Sequence, residues 1–185
     1  SSYDFPYHLS NLSPAKGEGQ YERWEYPSTA TAIDIQSNRA TCQNNAVNNI
    51  AFIDCGISDV FISTILRYPA VGTTSTDGIL FRYTDANNYW WAGPVPNLDK
   101  FRIIRRESGS DTVEQEASSV TISADTDYYV TVRADGTTIT AEIDGANTLT
   151  EVNSFNQTEV KHGIIGYVDS SQKPAFDNFK VKSIG

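Results

Sequence analysis

The chain has 185 residues, 39% of them hydrophobic, with 14 basic and 23 acidic side chains for a formal charge of −9 at pH 7. That balance repels phosphate backbones and anionic headgroups, which argues against nucleic acid and membrane surfaces as partners. No apolar stretch approaches the roughly 20 residues of a spanning helix, and two cysteines and two histidines leave nothing for a multi-cysteine or histidine-rich zinc site.

The length suits a single domain over residues 1–185, since all-β sandwiches of this size fold as one unit. The opening Ser1-Ser2-Tyr3-Asp4 lacks the basic and apolar regions of a signal peptide and the sequence contains no Met, so it reads as a mature or excised piece of a longer polypeptide. Residues 1–23 read as an irregular lead-in that covers a sheet edge, with Pro6, Pro14, Gly17 and Gly19 breaking any period. From Ala32 onward, short β-rich runs alternate with turn clusters at the spacing of a sandwich. In order, the runs are 32–36, 39–42, 50–54, 60–67, 78–83, 89–92, 101–107, 112–117, 128–134, 138–144, 148–152, 162–168 and 175–182. No segment calls for a helix. The clearest unit is a hairpin: Tyr128, Val130 and Val132 share one face of the first strand, Ile139, Ala141 and Ile143 one face of the second, and Asp135-Gly136 turns between them. A second turn at Asp144-Gly145 extends it into a meander.

Cys42 and Cys55 flank the polar segment 43–49 and the apolar run 50–53, an arrangement that could oppose them on a hairpin. A disulfide is the favoured reading; separate burial as two small hydrophobes is the other.

The order of motifs resembles that of a known family. It runs from Ser37-Asn38-Arg39 through the apolar run 57–63, the segment GILFRYTDANNY from Gly78 to Tyr89, the 128–133 strand and the Ile143-Asp144-Gly145 turn. It closes with Gly163-Ile164-Ile165-Gly166-Tyr167 and FDNFKV from Phe176 to Val181. From about Asp34 to the end, this series resembles the concanavalin A-like/laminin-G-like jelly-roll domains appended to bacterial glycoside hydrolases, adhesins and phage tail proteins. The resemblance implies an all-β, two-sheet antiparallel sandwich, often used for carbohydrate binding and sometimes carrying a structural calcium near its termini. Asp4 and Asp177 are the carboxylates it offers for such an ion. The stretch Trp90-Trp91-Ala92-Gly93-Pro94 departs from the family, whose members usually continue there as an ordinary strand.

The chemistry that can be read from residues centres on one segment. Tyr89, Trp90 and Trp91 adjoin Asp85, Asn87 and Asn88, which suits a sugar: a ring stacks on a pyranose face while amides and carboxylates take hydroxyls. Alternation sends Trp90 to the face opposite Tyr89 and Trp91. Arg82 is expected on the Leu80 face, away from Ile79, Phe81 and Tyr83; it is either ion-paired to Asp85 or Asp77, or lining a concave face with Arg102. Ala141-Glu142-Ile143-Asp144-Gly145 partly resembles the paired-carboxylate strand of laminarinase-type glucanases. The chain continues Gly145-Ala146-Asn147, without the further Glu that retaining hydrolysis requires. His8 and His162 lie apart from any nucleophile–base motif.

These observations point to a non-catalytic, lectin-like carbohydrate-binding or adhesive domain of a larger extracellular or virion protein. Its partners would be a glycan or polysaccharide and the other domains of the parent. The competing expectation is a structural spacer or docking module without glycan contact. The acidic, Asn- and Thr-rich composition suits the outside of a cell.

Overall fold

A computed structural model describes residues 2–4, 24–27, 33–43, 48–72, 75–169 and 172–185. Most of the 1–23 lead-in, His8 included, therefore lies outside the described residues. Fourteen strands run through the described residues: β1 (Ser2–Asp4), β2 (Ile33–Gln36), β3 (Arg39–Cys42), β4 (Asn48–Asp54), β5 (Val60–Arg67), β6 (Gly78–Asp85), β7 (Asn88–Val95), β8 (Lys100–Glu107), β9 (Ser110–Ser118), β10 (Asp127–Asp135), β11 (Thr138–Ile143), β12 (Ala146–Val152), β13 (Lys161–Tyr167) and β14 (Ala175–Ser183). The one helical element among them is a 3-10 turn over Pro96–Leu98. The strands form two antiparallel sheets. One has eight strands in the order β12-β11-β10-β5-β14-β3-β2, with β1 also on β14; the other has six, in the order β4-β13-β6-β7-β8-β9. This is the all-β sandwich expected.

Local chemistry explains the meander β10-β11-β12. Val130, Val132 and Ala134 face Ile143, Ala141 and Ile139 across the first hairpin, and all six are buried. A slip of one residue would expose them, so the register is fixed. The turns need left-handed residues, supplied by Gly136 in the first and by Asp144 and Gly145 in the second. Asp144 Oδ1 also accepts the Tyr129 N–H at 2.7 Å. The inner faces of both sheets join in one core that includes Leu66, Ile79, Trp90, Ile103, Val132 and Phe176.

The two sheets differ on their outer faces. Strand β10 alternates buried with exposed positions toward solvent. In contrast, the central residues of β4, β6, β7 and β13 are buried without alternation, the signature of strands covered on both sides. A second apolar cluster occupies the outer face of this sheet: Ile50, Phe52, Leu80, Tyr83, Tyr89, Trp91, Ile104 and Ile165. The backbones here approach so closely that only glycine fits at several places: a Cβ on Gly93 would stand 1.7 Å from the Asp77 carbonyl oxygen, one on Gly163 1.9 Å from that of Ala51, and one on Gly78 2.1 Å from that of Ala92.

Three expectations are corrected. Within the lead-in, Ser2–Asp4 is a strand, paired with β14 from Ser2↔Lys182 to Asp4↔Lys180. The Trp90-to-Pro94 stretch is no departure, because β7 continues regularly to Val95, opposite Lys100. Cys42 and Cys55 are not bonded to each other; both thiols are buried. Segment 43–49 does not close a hairpin. It carries the chain from β3, which pairs with β2 and β14, to β4, which pairs with β13 in the other sheet. The expected consequence is that the native protein reacts slowly or not at all with a thiol reagent, whereas unfolding it without reductant releases two reactive thiols.

Candidate functional site

The outer face of the six-stranded sheet carries a run of rings in contact. Phe52 (β4) stacks on Tyr83 (β6) with centroids 4.5 Å apart, Tyr83 on Tyr89 (β7) at 5.6 Å, and Tyr89 meets Trp91 at 5.4 Å. Cations bracket the run: Lys161 lies 5.4 Å from the Phe52 centroid and Arg106 lies 5.9 Å from that of Tyr89. Burial pushes the Tyr89 phenol up to about 12. The rings are at most 5% exposed, so they form a floor rather than an open platform. The Trp91 indole N–H is held by the Thr76 carbonyl at 3.2 Å.

Toward β9 the same face turns polar. Arg102 donates to Glu116 at 2.7 Å, Lys100 to the same carboxylate at 2.5 Å, and Arg106 to Asp111 at 2.7 Å. At one end, two turns are zipped together. Asn88 Nδ2 donates to both Asp85 oxygens (2.9 and 3.1 Å), and its Oδ1 accepts the Ser108 N–H (3.1 Å). Arg106 Nε donates to the Ala86 carbonyl at 3.1 Å, and Gly109 N–H to that of Asn87 at 3.0 Å.

The residues expected to bind ligand divide accordingly. Asp85 and Asn87 are exposed and Asn88 half-buried on the β6–β7 turn, while Trp91 and the half-buried Arg102 belong to the outer face. Trp90 is elsewhere: fully buried between the sheets, it stacks on Phe81 and donates to the Phe155 carbonyl at 2.9 Å. Arg82 is also corrected. It sits at a β-bulge with φ 51°, where the β6–β7 register shifts, and that extra residue resets the alternation. Arg82 therefore leaves the Leu80 face and Tyr83 joins it. The guanidinium is fully buried and donates to the Gly136 carbonyl at 2.7 Å and to Asp59 at 3.4 Å, so its ion-pair partner is neither Asp85 nor Asp77. It shares no surface with Arg102.

The bulge also organises His162. The Arg82 N–H donates to Nδ1 at 3.2 Å, which leaves the proton on Nε2 to bond the Ile57 carbonyl at 2.9 Å. Burial holds the imidazole pKa down to about 4, with the Arg82 charge adding to the shift. His162 is a neutral structural group. The two carboxylates near the β11–β12 turn are likewise engaged, Glu142 accepting from Thr148 Oγ1 at 3.0 Å and Asp144 capping Tyr129 N–H.

The two carboxylates expected at a calcium ion lie on the neighbouring strands β1 and β14. Asp4 occupies the β1 position opposite Lys180, and Asp177 lies inside β14 with Oδ1 accepting the Asn178 N–H at 2.8 Å. Among the described residues no three His, Cys, Asp or Glu side chains come together, whereas calcium needs six to eight oxygens.

Two outcomes follow. Trp90→Ala should lose about 3–5 kcal/mol of stability in urea titrations, the range for a large aromatic removed from a packed core. The lowered pKa of His162 makes its contribution fully present above about pH 6.5 and lost as pH falls through about 4, worth up to about 3 kcal/mol. Denaturation curves across that window should show a steeper acid loss in the wild type than in His162→Gln.

No family model matches the sequence and no curated protein matches it. Solved structures do resemble it. A carbohydrate-binding module, CBM66 of Bacillus subtilis, superposes with a TM-score of 0.66 at 17% identity, covering 86% of this chain and 95% of that one. A GH43 protein of Bacillus licheniformis, BlXynB, gives 0.66 at 11% identity over 86% of this chain but 36% of its own length. The exoplasmic/lumenal domain of VIP36, in its Ca2+- and mannose-bound form, gives 0.59 at 12% identity over 99% and 89%. With the sheet order and register, these likenesses are ones of fold: the chain is a two-sheet antiparallel jelly-roll sandwich like those structures.

Proposed function

We propose that this chain is a non-catalytic carbohydrate-binding domain of an extracellular protein, and that the glycan lies on the outer face of the six-stranded sheet, over its β6–β9 half. The observation that carries the reading is the rim of planar polar groups on that face, Asp85, Asn87, Asn88, Arg102 and Arg106, exposed or half-buried and backed by the buried rings of Tyr89 and Trp91. Sugar hydroxyls are taken by such amides, carboxylates and guanidinium groups. Arg102 and Arg106 are each held by a carboxylate, which fixes their donors and offsets their charge, so a neutral glycan suits the rim better than a uronate. The proteins of like fold include a carbohydrate-binding module and a mannose-bound exoplasmic/lumenal domain, and the setting of the second supports the extracellular assignment. Glu142 and Asp144 supply no facing pair for hydrolysis.

Affinity electrophoresis through gels containing xylan, mannan, β-glucan or levan tests this. The expected result is retarded migration in at least one gel, weakened by about 1–2 kcal/mol in Arg102→Ala at a nearly unchanged melting temperature, and unaffected in Glu142→Gln. Free migration in every gel overturns the binding reading. Release of reducing sugar by the wild type but not by Glu142→Gln overturns the non-catalytic one.

A further inference from the structure

The buried rings behind the polar rim are closed to a ligand; the open ring lies on the other sheet. Among the described residues Tyr129 is the one aromatic side chain that is largely exposed, at 46%. Alternation along β10 sends Tyr128 and Val130 into the core and Tyr129 to the outer face of the eight-stranded sheet. A single exposed tyrosine is ordinary; the setting of this one is not. Its backbone is pinned at both polar atoms, the N–H donating to Asp144 Oδ1 at 2.7 Å and the carbonyl accepting the Asp144 N–H at 2.7 Å. Its cross-strand partner on β5 is the half-buried Ile65, so the ring rises beside an apolar neighbour.

Polar groups are fixed around that ring. Asp127, two residues earlier on the same face, accepts from Arg39 Nη2 at 3.1 Å and from Arg67 Nη1 at 3.2 Å, and Arg67 Nη2 donates to Asp125 at 3.4 Å. Arg39 starts on β3, so its side chain crosses β14 and β5 to reach this cluster. The two guanidinium groups are oriented by carboxylates yet stay partly open, at 21% and 33%. Two cations and two anions cancel, which suits a neutral ligand better than a charged one. A stable protein interface needs roughly 800 Å² on each side around an apolar centre, and here one ring stands among charges. An exposed ring beside oriented donors and acceptors of zero net charge matches a neutral pyranose, apolar on its C–H face and hydroxylated at its edge.

We propose that Tyr129, with the Arg39–Arg67–Asp127 cluster, forms a second glycan-binding surface, on the face of the sandwich opposite the β6–β9 rim, where a neutral pyranose unit stacks on the tyrosine ring. It shares the ligand class of the carbohydrate-binding reading and none of its residues. Surfaces on opposite sheets let one domain engage two polysaccharide chains, and avidity follows on a polymer that offers both.

The test reads Tyr129 directly, in 13C spectra of protein labelled at its tyrosine rings and titrated with short soluble oligosaccharides of xylan, mannan, β-glucan and levan. The Tyr129 signals, identified by their loss in Tyr129→Phe, are expected to move saturably with at least one of these, while those of the core residue Tyr68 stay still. Arg102→Ala should leave the Tyr129 midpoint unchanged, since the two surfaces lie on different sheets. In polysaccharide gels, Tyr129→Ala should weaken retention roughly tenfold, the equivalent of a lost stacking contact, at a nearly unchanged melting temperature. Tyr129→Phe keeps the ring and the retention, and the titration stays readable if Tyr129→Ala does not fold. A Tyr129 ring unmoved by every oligosaccharide, beside gel retention that Arg102→Ala weakens, overturns the second surface and leaves the first standing. A Tyr129 midpoint that shifts in Arg102→Ala overturns its independence and with it the second surface. A ring that titrates, beside retention indifferent to Arg102→Ala, supports the second surface and overturns the placement on the six-stranded sheet. An unmoved ring with free migration in every gel overturns both.

Discussion

Strands β4, β6, β7 and β13 are buried on both faces, so an ionisable group that they carry has to find its partner inside the protein. Each such group is resolved differently. Arg82 keeps its charge and reaches across the sandwich end to Asp59 and Gly136. His162 gives up its charge and becomes a two-sided hydrogen-bonding link between the β6 bulge and Ile57. Asp77, the residue before β6, accepts hydrogen bonds from the Tyr167 N–H and the Gln172 amide, while burial raises its pKa to about 7. One constraint thus yields an ion pair, a neutral link and a hydrogen-bonded carboxyl group, according to what each side chain meets. The ordinary outer face belongs to the eight-stranded sheet, where Tyr129 and its neighbours meet water directly.

Strand order along the chain was readable because period-two alternation and turn residues are local signals. The β10–β11 hairpin, with apolar residues on one face and Asp135-Gly136 between, leaves one register open. What alternation cannot carry is a break in its own count. A single left-handed residue at Arg82 reverses the assignment of Arg82 and Tyr83 together, and no residue type at that position announces it, since the usual marker of positive φ is glycine or asparagine. Cys42 and Cys55 mislead for a related reason: sequence proximity suggested a hairpin, but the chain crosses between sheets there.

The candidate site was legible in part. The β6–β7 turn and the odd-numbered aromatics of β7 follow from the sequence, and alternation placed Trp90 opposite Tyr89 and Trp91. The aromatic floor itself joins Phe52 to Tyr83 across the intervening strand β13, where Gly163 offers no side chain to separate them. Such a contact depends on which strands are neighbours, information held by the topology rather than by any segment. Arg106, Asp111 and Glu116 carry no signal of their own in the sequence, because charges on an edge hairpin look like ordinary solvated residues until their register, Arg106↔Asp111 and Arg102↔Glu116, is known.

The sheet order also bears on how the molecule is made. The last two strands are interior pieces: β13 stands between β4 and β6, and β14 between β5 and β3. Until both have been synthesised, β2 with β3 in one sheet and β4 in the other have no bridge to the rest, and their apolar residues face water. Nascent chains must therefore hold β2, β3 and β4 without their partners until β13 and β14 have been synthesised, and the sandwich closes through contacts between distant parts of the sequence. Its vulnerability to aggregation is concentrated in that interval, before the C-terminal strands arrive to complete both sheets.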